Sequence, residues 1–431
     1  MSLALTVLLA MLFATLLLRL PIGFGMLASG VAYLLVKGQD VGLVAEQVLN
    51  GLYNSYVLLA VPLFIFAAAI MNSGSISDRL FEFAQVFVGR LRGGLAQVDV
   101  VASVIFSGMS GSAIADAAGP GLVSIRAMVK HGYSPAFAGA IVAASATIGP
   151  IIPPSIPLVI YALVSDTSVG ALFLGGVIPG LLMAAALMIG VQLVAQRRKL
   201  PRGEAVTWKQ LPQVLWRGVL PVSLPVVLLG GIYSGVFTPT EAAAVAALYA
   251  LFLAVVVYRA LDARRFYEVL IESSKSSASV TLIVATAFLI NYAFAAENVP
   301  TALAAWLNSF KLSPTGFLIG VNLLFLVLGC FLDTSIMLLV LVPILLPTAR
   351  LLGVDLVHFG VMVVVNMMIG MVTPPFGMLL FVINALAGVP LKEMIRESWV
   401  FIGVLIVALA VITFVPQTVL WLPQALGYGG K

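Results

Sequence analysis

The chain has 431 residues, 62% of them hydrophobic and only 9% charged, with one cysteine and a formal net charge of +5. A soluble domain carries roughly 25% charged residues, so the composition excludes a water-soluble enzyme or binding module and points to an all-α polytopic membrane protein. The lone Cys330 excludes an internal disulfide, two histidines and one cysteine argue against a zinc centre, and no GxxxxGK[ST] motif is present for P-loop nucleotide hydrolysis.

In chain order, the segment before Arg19 carries no basic residue, unlike the start of a secretory signal, and reads as a retained transmembrane helix. Hydrophobic runs and breaker residues place further helices at about 22 to 36 and 52 to 71 in the first half, followed by about 135 to 165 and 170 to 196. The second half offers about 217 to 236, 240 to 258, 278 to 296, 357 to 388 and 399 to 421. Two apolar regions, about 94 to 128 and 314 to 350, are broken midway by SGMSGS and by LGCFLDTS. Amphipathic stretches at 76 to 93 and near Thr301 to Lys311 precede them and read as helices lying at the interface. Thr238, Pro239 and Glu241 form a capping box.

Each arm of a broken region, roughly 15 residues, is about 22 Å long at 1.5 Å per residue, short of a hydrocarbon core of about 30 Å. Both regions therefore read as re-entrant hairpins. With the N-terminus outside and each hairpin returning to its own side, 18 of the 22 basic residues fall on the inner face, as the positive-inside rule requires. Only Lys37, Lys311, Arg350 and Lys431 remain outside. This asymmetry explains the basic balance without nucleic acid. It also makes RRKLPRG at 197 to 203 a cytoplasmic loop, with Trp208 and Trp216 as interfacial anchors. His131 and His358 read as interfacial histidines near loop ends, and Cys330 as a small filler.

Landmarks recur at offsets of 217 to 221 residues: Pro21 with Pro239, Asp116 with Asp333, and Pro153-Pro154 with Pro374-Pro375. Five spanning helices and one hairpin per half, an odd number of crossings, predict an inverted repeat of the kind found in secondary transporters. The halves are 1 to 205 and 206 to 431.

A hairpin tip at membrane depth survives only if it is buried in protein or faces a cavity. There the first arm ends in free carbonyls, suited to a cation, and the second begins with free N–H groups, suited to an anion. Ser107, Ser110 and Ser112 add hydroxyl oxygens at the first tip; Gly329 breaks the first arm of the second, and Asp333, Thr334 and Ser335 open its second arm. Asp333 is either an N-cap or a group near the cation. Asp116 is a functional candidate as an intramembrane carboxylate. Opposite the tips, ATIGPIIPPSIP at 146 to 157 and IGMVTPPFGM at 369 to 378 read as broken helices, because paired prolines remove two N–H donors. Thr147, Gly149, Gly370 and Thr373 then offer oxygens to a small hard cation.

At SGSAIADAAG, TIGPIIPPS, GCFLDTS and VTPPFG the chain resembles the large membrane subunit (M subunit) of tripartite ATP-independent periplasmic (TRAP) transporters. The resemblance spans the full length. It implies an elevator-type fold and a bacterial inner-membrane, sodium-driven importer of organic acids such as C4-dicarboxylates or sialic acid. Its implied partners are a separate small four-helix membrane subunit (Q subunit) and a periplasmic solute-binding protein (P subunit). Carried over by motif, sodium ligands fall at Ser107, Ser110, Gly111, Gly329, Gly370 and Thr373, and repeat symmetry extends them to Thr147, Gly149 and Asp333. The expected substrate residues are Ser112, Asp116, Pro154 and Ser155 in the first half, and Thr334, Ser335 and Pro375 in the second. A stand-alone sodium/dicarboxylate symporter of the same hairpin plan is the rival reading. An intramembrane enzyme would need a catalytic pair at one depth, for which only Asp116 and Asp333 qualify.

Overall fold

A computed structural model describes residues 2–18, 20–53, 56–72, 76–201 and 211–428. Arg19, Trp208, Lys431, the later part of the 197 to 203 run and the boundary between the two halves lie outside the described residues. Among the described residues the chain is all-helical. The first half comprises α1 (Leu3–Leu17), α2 (Ile22–Lys37), α3 (Leu43–Tyr53), α4 (Ala60–Asn72) and α5 (Ile76–Val88), then α6 (Gly94–Ser110), α7 (Ala113–Ala118), α8 (Pro120–Lys130), α9 (Pro135–Ala146), α10 (Ile156–Ser165) and α11 (Val169–Arg198). The second half comprises α12 (Leu211–Tyr233), α13 (Pro239–Phe252), α14 (Ala263–Ala296), α15 (Val299–Ser309) and α16 (Pro314–Gly329), then α17 (Thr334–Ile336), α18 (Val342–Leu351), α19 (Leu356–Gly370), α20 (Met378–Ala387), α21 (Leu391–Phe414) and α22 (Gln417–Ala425).

Local chemistry sets many of these boundaries. Thr238 accepts from Glu241 N while Glu241 returns to Thr238 N, the capping box read from the sequence. Ser134, Ser155, Ser168 and Ser313 each cap a helix by accepting the N–H three residues on, satisfying donors a helix start leaves open. The amphipathic stretches fold as α5 and α15.

Several boundaries differ from expectation. The helix read at 52 to 71 begins only at Ala60 as α4, after a 3-10 turn at Tyr56–Leu59, and the stretch before it folds as α3, which was not foreseen. The helix read at 278 to 296 begins at Ala263, because Asp262 caps it by accepting from Arg265 N at 2.8 Å; a hydropathy window registers the membrane, not the helix. The helix read at 399 to 421 starts at Leu391 as α21 and stops at Phe414, before Pro416, whose ring cannot continue it; Gln417–Ala425 forms the separate α22. Arg197 and Arg198 belong to the last turn of α11, where positive charge faces the negative end of the helix dipole, and Arg198 pairs with Glu397 on α21 at 2.8 Å.

Neither broken region is a continuous helix. The first turns at Gly111 and Ser112, the second over residues 330 to 333. Their arms are longer than expected: α6 has 17 residues, and Thr334–Leu351, which includes a wider π turn, has 18. Eighteen residues reach about 27 Å, so the turn rather than arm length interrupts each region.

Partners exchange between the halves. In each half the first hairpin arm packs on the first segment of its own broken helix, α6 on α9 and α16 on α19. The start of each second arm packs on the other half's broken helix, α7 on α20 and α17 on α10. Further out, α4 packs on α13 and α14 on α2. Lys37 pairs with Glu297, which also accepts from Tyr33 Oη at 3.2 Å, tying α2 to the end of α14.

Candidate functional site

The first tip is formed where α6 runs out of partners. Gly111 takes φ +60 and the N–H of Ser112 turns to Ser110 Oγ at 3.4 Å rather than to a carbonyl of the preceding turn. The last carbonyls of α6 are thus left as at any helix C-terminus. Only glycine fits at 111, since a methyl group there would collide with the Pro154 carbonyl of the facing broken helix. Ser112 then caps α7, accepting from Ala115 N at 3.4 Å.

Asp116, one turn into α7, is 2% exposed. Its Oδ1 accepts from Ser110 Oγ across the turn, and its Oδ2 has no partner. That second oxygen points at Gly149, where a methyl group would overlap it. Asp116, expected among the substrate residues, stands between two expected cation residues, Ser110 and Gly149.

The facing break is built by tightening and then by proline. Thr147, Ile148 and Gly149 each donate to the carbonyl three residues back, at 3.2, 3.0 and 3.2 Å. Pro153 has no N–H to offer the Gly149 carbonyl, and the Pro150 carbonyl is taken by the Ser155 hydroxyl. Ser155 also accepts from Leu158 N at 3.2 Å.

The second break repeats this. Val372 and Thr373 donate three residues back at 3.2 and 3.0 Å, and the Met371 carbonyl accepts from Leu379 N at 3.0 Å. Both paired-proline bonds, Pro153-Pro154 and Pro374-Pro375, are cis. The second tip presses backbone to backbone: a methyl group on Gly370 would lie 2.8 Å from both C and Cα of Gly329. Thr334 Oγ1 lies 3.7 Å from Met371 Sδ, and Asp333 caps α17 by accepting from Ser335 N at 2.8 Å.

The structure therefore joins Ser110, Asp116 and Gly149, pairs Gly111 with Pro154, and pairs Gly329 with Gly370. The hydroxyls of Ser107, Thr147 and Thr373 turn back to the carbonyls of Ser103, Ala144 and Ile369. Ser335 is half-buried and Pro375 exposed. Among the described residues no three His, Cys, Asp or Glu side chains gather to hold a metal, so a cation here would meet backbone carbonyls, hydroxyls and single carboxylates, a donor set that suits a hard ion.

Some residues were not foreseen. Asp99 on α6 is buried and accepts from Ser145 Oγ on α9 at 2.7 Å. At the equivalent place in the second half, Asn366 on α19 donates to the Asn322 carbonyl at 2.9 Å and to its Oδ1 at 2.7 Å, while Asn322 donates to Thr413 Oγ1 on α21 at 2.9 Å. The 221-residue offset of the paired prolines, carried onto polar residues inside apolar runs, matches Ser145 with Asn366, while Asp99 and Asn322 stand 223 apart, just outside the range of the landmarks. His358, in the first turn of α19, is buried and its Nε2 lies 2.9 Å from the Ile412 carbonyl. Beside the second tip the rings of Phe331 and Phe376 stand 5.3 Å apart, both exposed. A cavity of about 690 Å³, lined by Gln47, Asn50, Asp166, Ser168, Phe237 and Tyr428 among others, includes none of the expected site residues.

Residues 9–418 match the family model described as tripartite ATP-independent periplasmic transporter, DctM component. The chain is 42% identical over 412 residues to the sialic acid TRAP transporter large permease protein SiaM of Vibrio cholerae serotype O1, covering 95% of this chain and 96% of that protein. It is 42% identical over 372 residues to the C4-dicarboxylate TRAP transporter large permease protein DctM of Pseudomonas aeruginosa, covering 86% and 87%. Among solved structures, the YdaH transporter of Alcanivorax borkumensis, reported to have an unusual topology, superposes with a TM-score of 0.58 at 14% identity, covering 84% of this chain and 85% of that one. That likeness speaks to the fold alone.

Proposed function

The chain belongs to the DctM component family of tripartite ATP-independent periplasmic transporters, a family of transport permeases rather than enzymes, and on that premise we propose that it is the sodium-driven importer subunit for an organic acid anion. The substrate class is a C4-dicarboxylate, sialic acid or a similar carboxylate. It is delivered by a periplasmic solute-binding protein, and a separate small four-helix membrane subunit completes the system in the bacterial inner membrane, with both termini of this chain periplasmic.

The observation that carries this reading is the pairing of each interrupted tip with a proline-broken helix, Gly111 against Pro154 and Gly329 against Gly370. Sodium bound among the carbonyls of a tip and its break draws the two together. An anion then meets the N–H groups that open the second arms, with Ser155, Thr334 and Ser335 alongside. The exchange of partners between halves, α7 on α20 and α17 on α10, fits two inverted repeats whose hairpins and broken helices move as one block against the remaining helices, an elevator motion. Burying an unpaired charge in the hydrocarbon is costly, so only the loaded or the empty block crosses, and this couples the two fluxes.

The test is uptake into proteoliposomes holding this chain, the small subunit and the binding protein, with radiolabelled sialic acid and succinate as probes under an inward sodium gradient. Saturable uptake that vanishes when choline replaces sodium supports the reading, and Ser110→Ala or Thr373→Ala should weaken its sodium dependence. Uptake indifferent to sodium rejects the driving ion. Full activity of this chain alone favours the stand-alone symporter.

A further inference from the structure

We propose that the hollow between the α5–α6 linker and the end of α11 holds the phosphate of an anionic phospholipid of the inner leaflet, gripped by Arg90, Arg92, Gln192 and Gln196. The site lies apart from both tips and goes beyond the transport reading above, from which it takes only the side of the membrane.

The hollow, of about 640 Å³, is lined by Arg90, Leu91, Arg92, Gln192 and Gln196. Backbone contacts bring its two walls together. Gly93 takes φ +70, its N–H donates to the Pro201 carbonyl at 3.2 Å, and a methyl group on it would lie 2.9 Å from Ala195 Cβ, so the linker rests directly on the last turns of α11. Gln192 and Gln196, four residues apart, share one face of that helix and supply the second wall.

The chemistry of the lining selects an anion. Among the described residues Arg90 and Arg92 take part in no ion pair, and the lining contains no carboxylate. Two guanidiniums offer forks of N–H donors that match phosphate oxygens, and the two amides add further donors. A zwitterionic headgroup would bring an ammonium against the same two positive charges.

The surroundings select a lipid as the source of the phosphate. On α11, Ile189 and Leu193 are exposed four residues apart, and on the other wall Phe87 and Leu91 are exposed at the same spacing. Acyl chains thus find apolar surface that ends at a basic pocket, the arrangement that holds anionic headgroups between helices at a cytoplasmic face. The amphipathic α5, lying at the interface, sets the hollow at headgroup level. Because α5 packs on α12 and the linker leads into α6, the first hairpin arm, a lipid held here fastens that joint to the bilayer surface.

The test follows the thermal unfolding midpoint of the purified full chain in detergent as dioleoylphosphatidylglycerol, dioleoylphosphatidylcholine or inorganic phosphate is added. Phosphatidylglycerol should stabilise the chain saturably. Arg90→Gln combined with Arg92→Gln should raise the concentration for half-maximal stabilisation by about 25-fold, the product of about fivefold for each basic residue at an anionic surface. Gln196→Glu, which adds a negative charge to the hollow, should weaken it in the same direction. Arg264→Gln combined with Arg265→Gln removes two exposed charges elsewhere and should leave it unchanged. An unaltered response in the Arg90, Arg92 variant, or an equal loss in the Arg264, Arg265 variant, overturns the site. Phosphatidylcholine acting as well as phosphatidylglycerol overturns the choice of an anionic lipid, and inorganic phosphate acting as well overturns the choice of a lipid. None of these outcomes bears on sodium-driven uptake, so that reading stands or falls separately.

Discussion

The contact between Gly329 and Gly370 is the place where one methyl group tests the reasoning most directly. A Cβ built on Gly370 lies 2.8 Å from the Cα and C of Gly329, about 0.6 Å inside the 3.4 Å at which ordinary contact begins. Both obstructing atoms are backbone, so no side chain can swing away. The tip or the break must retreat. Overpacking of this kind costs about 1–3 kcal/mol. If cation binding is what brings tip and break together, the whole cost appears in the sodium affinity of Gly370→Ala, a weakening of about 5- to 150-fold at 1.4 kcal/mol per decade.

The assay is sodium-dependent thermal stabilisation of the purified chain, with Gly320→Ala as control. Gly320 lies on the same arm, α16, and a methyl group there meets nothing within 4 Å; replacing glycine by alanine in a helix interior should stabilise by up to about 1 kcal/mol. Gly370→Ala should lose sodium response and Gly320→Ala should keep it. Equal responses in the two variants would refute the idea that tip and break must touch for the ion to bind.

Three further outcomes are expected. Thr238→Ala removes the capping box of α13 and should lower stability by about 1 kcal/mol, read as a lower unfolding midpoint with unchanged sodium dependence. The hydrogen bond from Lys37, aided by Ser2 and Tyr33, holds the Glu297 carboxyl below its ordinary range. Its contribution is therefore present above the usual glutamate pKa of about 4.3 and is lost as pH falls through the depressed value, so wild type should lose more stability than Glu297→Gln when unfolding is followed from pH 6 down to about 3.5. In a Cys330→Ser background, Asp40→Cys should react with a membrane-impermeant maleimide on intact cells, and Lys199→Cys only after permeabilisation; the reverse pattern would invert the orientation.

The sequence made both tips and both breaks legible because they are local: Gly111, Pro153-Pro154, Gly329 and Pro374-Pro375 each disrupt a helix by their own chemistry, wherever the chain goes next. Pairing between segments was less visible. Asp99 sits in the apolar run VDVVASVIF, and nothing near it announces that Ser145 will stand 2.7 Å away. His358 looks like a loop-end residue until α21 brings the Ile412 carbonyl to its ring. Asp116 could be named as functional but not assigned, since the ordering of Ser110 across the turn and Gly149 behind it is a matter of three segments meeting.

The two unforeseen polar pairs indicate how the tips are positioned. Asp99 with Ser145 and Asn322 with Asn366 lie at offsets of 223 and 221 residues, and each joins the first hairpin arm to the first segment of its broken helix. Polar groups buried among apolar side chains persist when they are satisfied and fix one register. Each pair lies two to three turns from its tip, far enough to leave the tip's own polar groups free, and binds arm to broken helix before the chain reaches the gap. On the proposed sodium-driven reading, the closure is then confined to the turn itself: Gly111 and Ser112 on one side, residues 330 to 333 on the other. A cation that had to assemble two long helices from a loose state would spend its binding energy on ordering them; with the arms already joined, the proposed ion would act only on the tip.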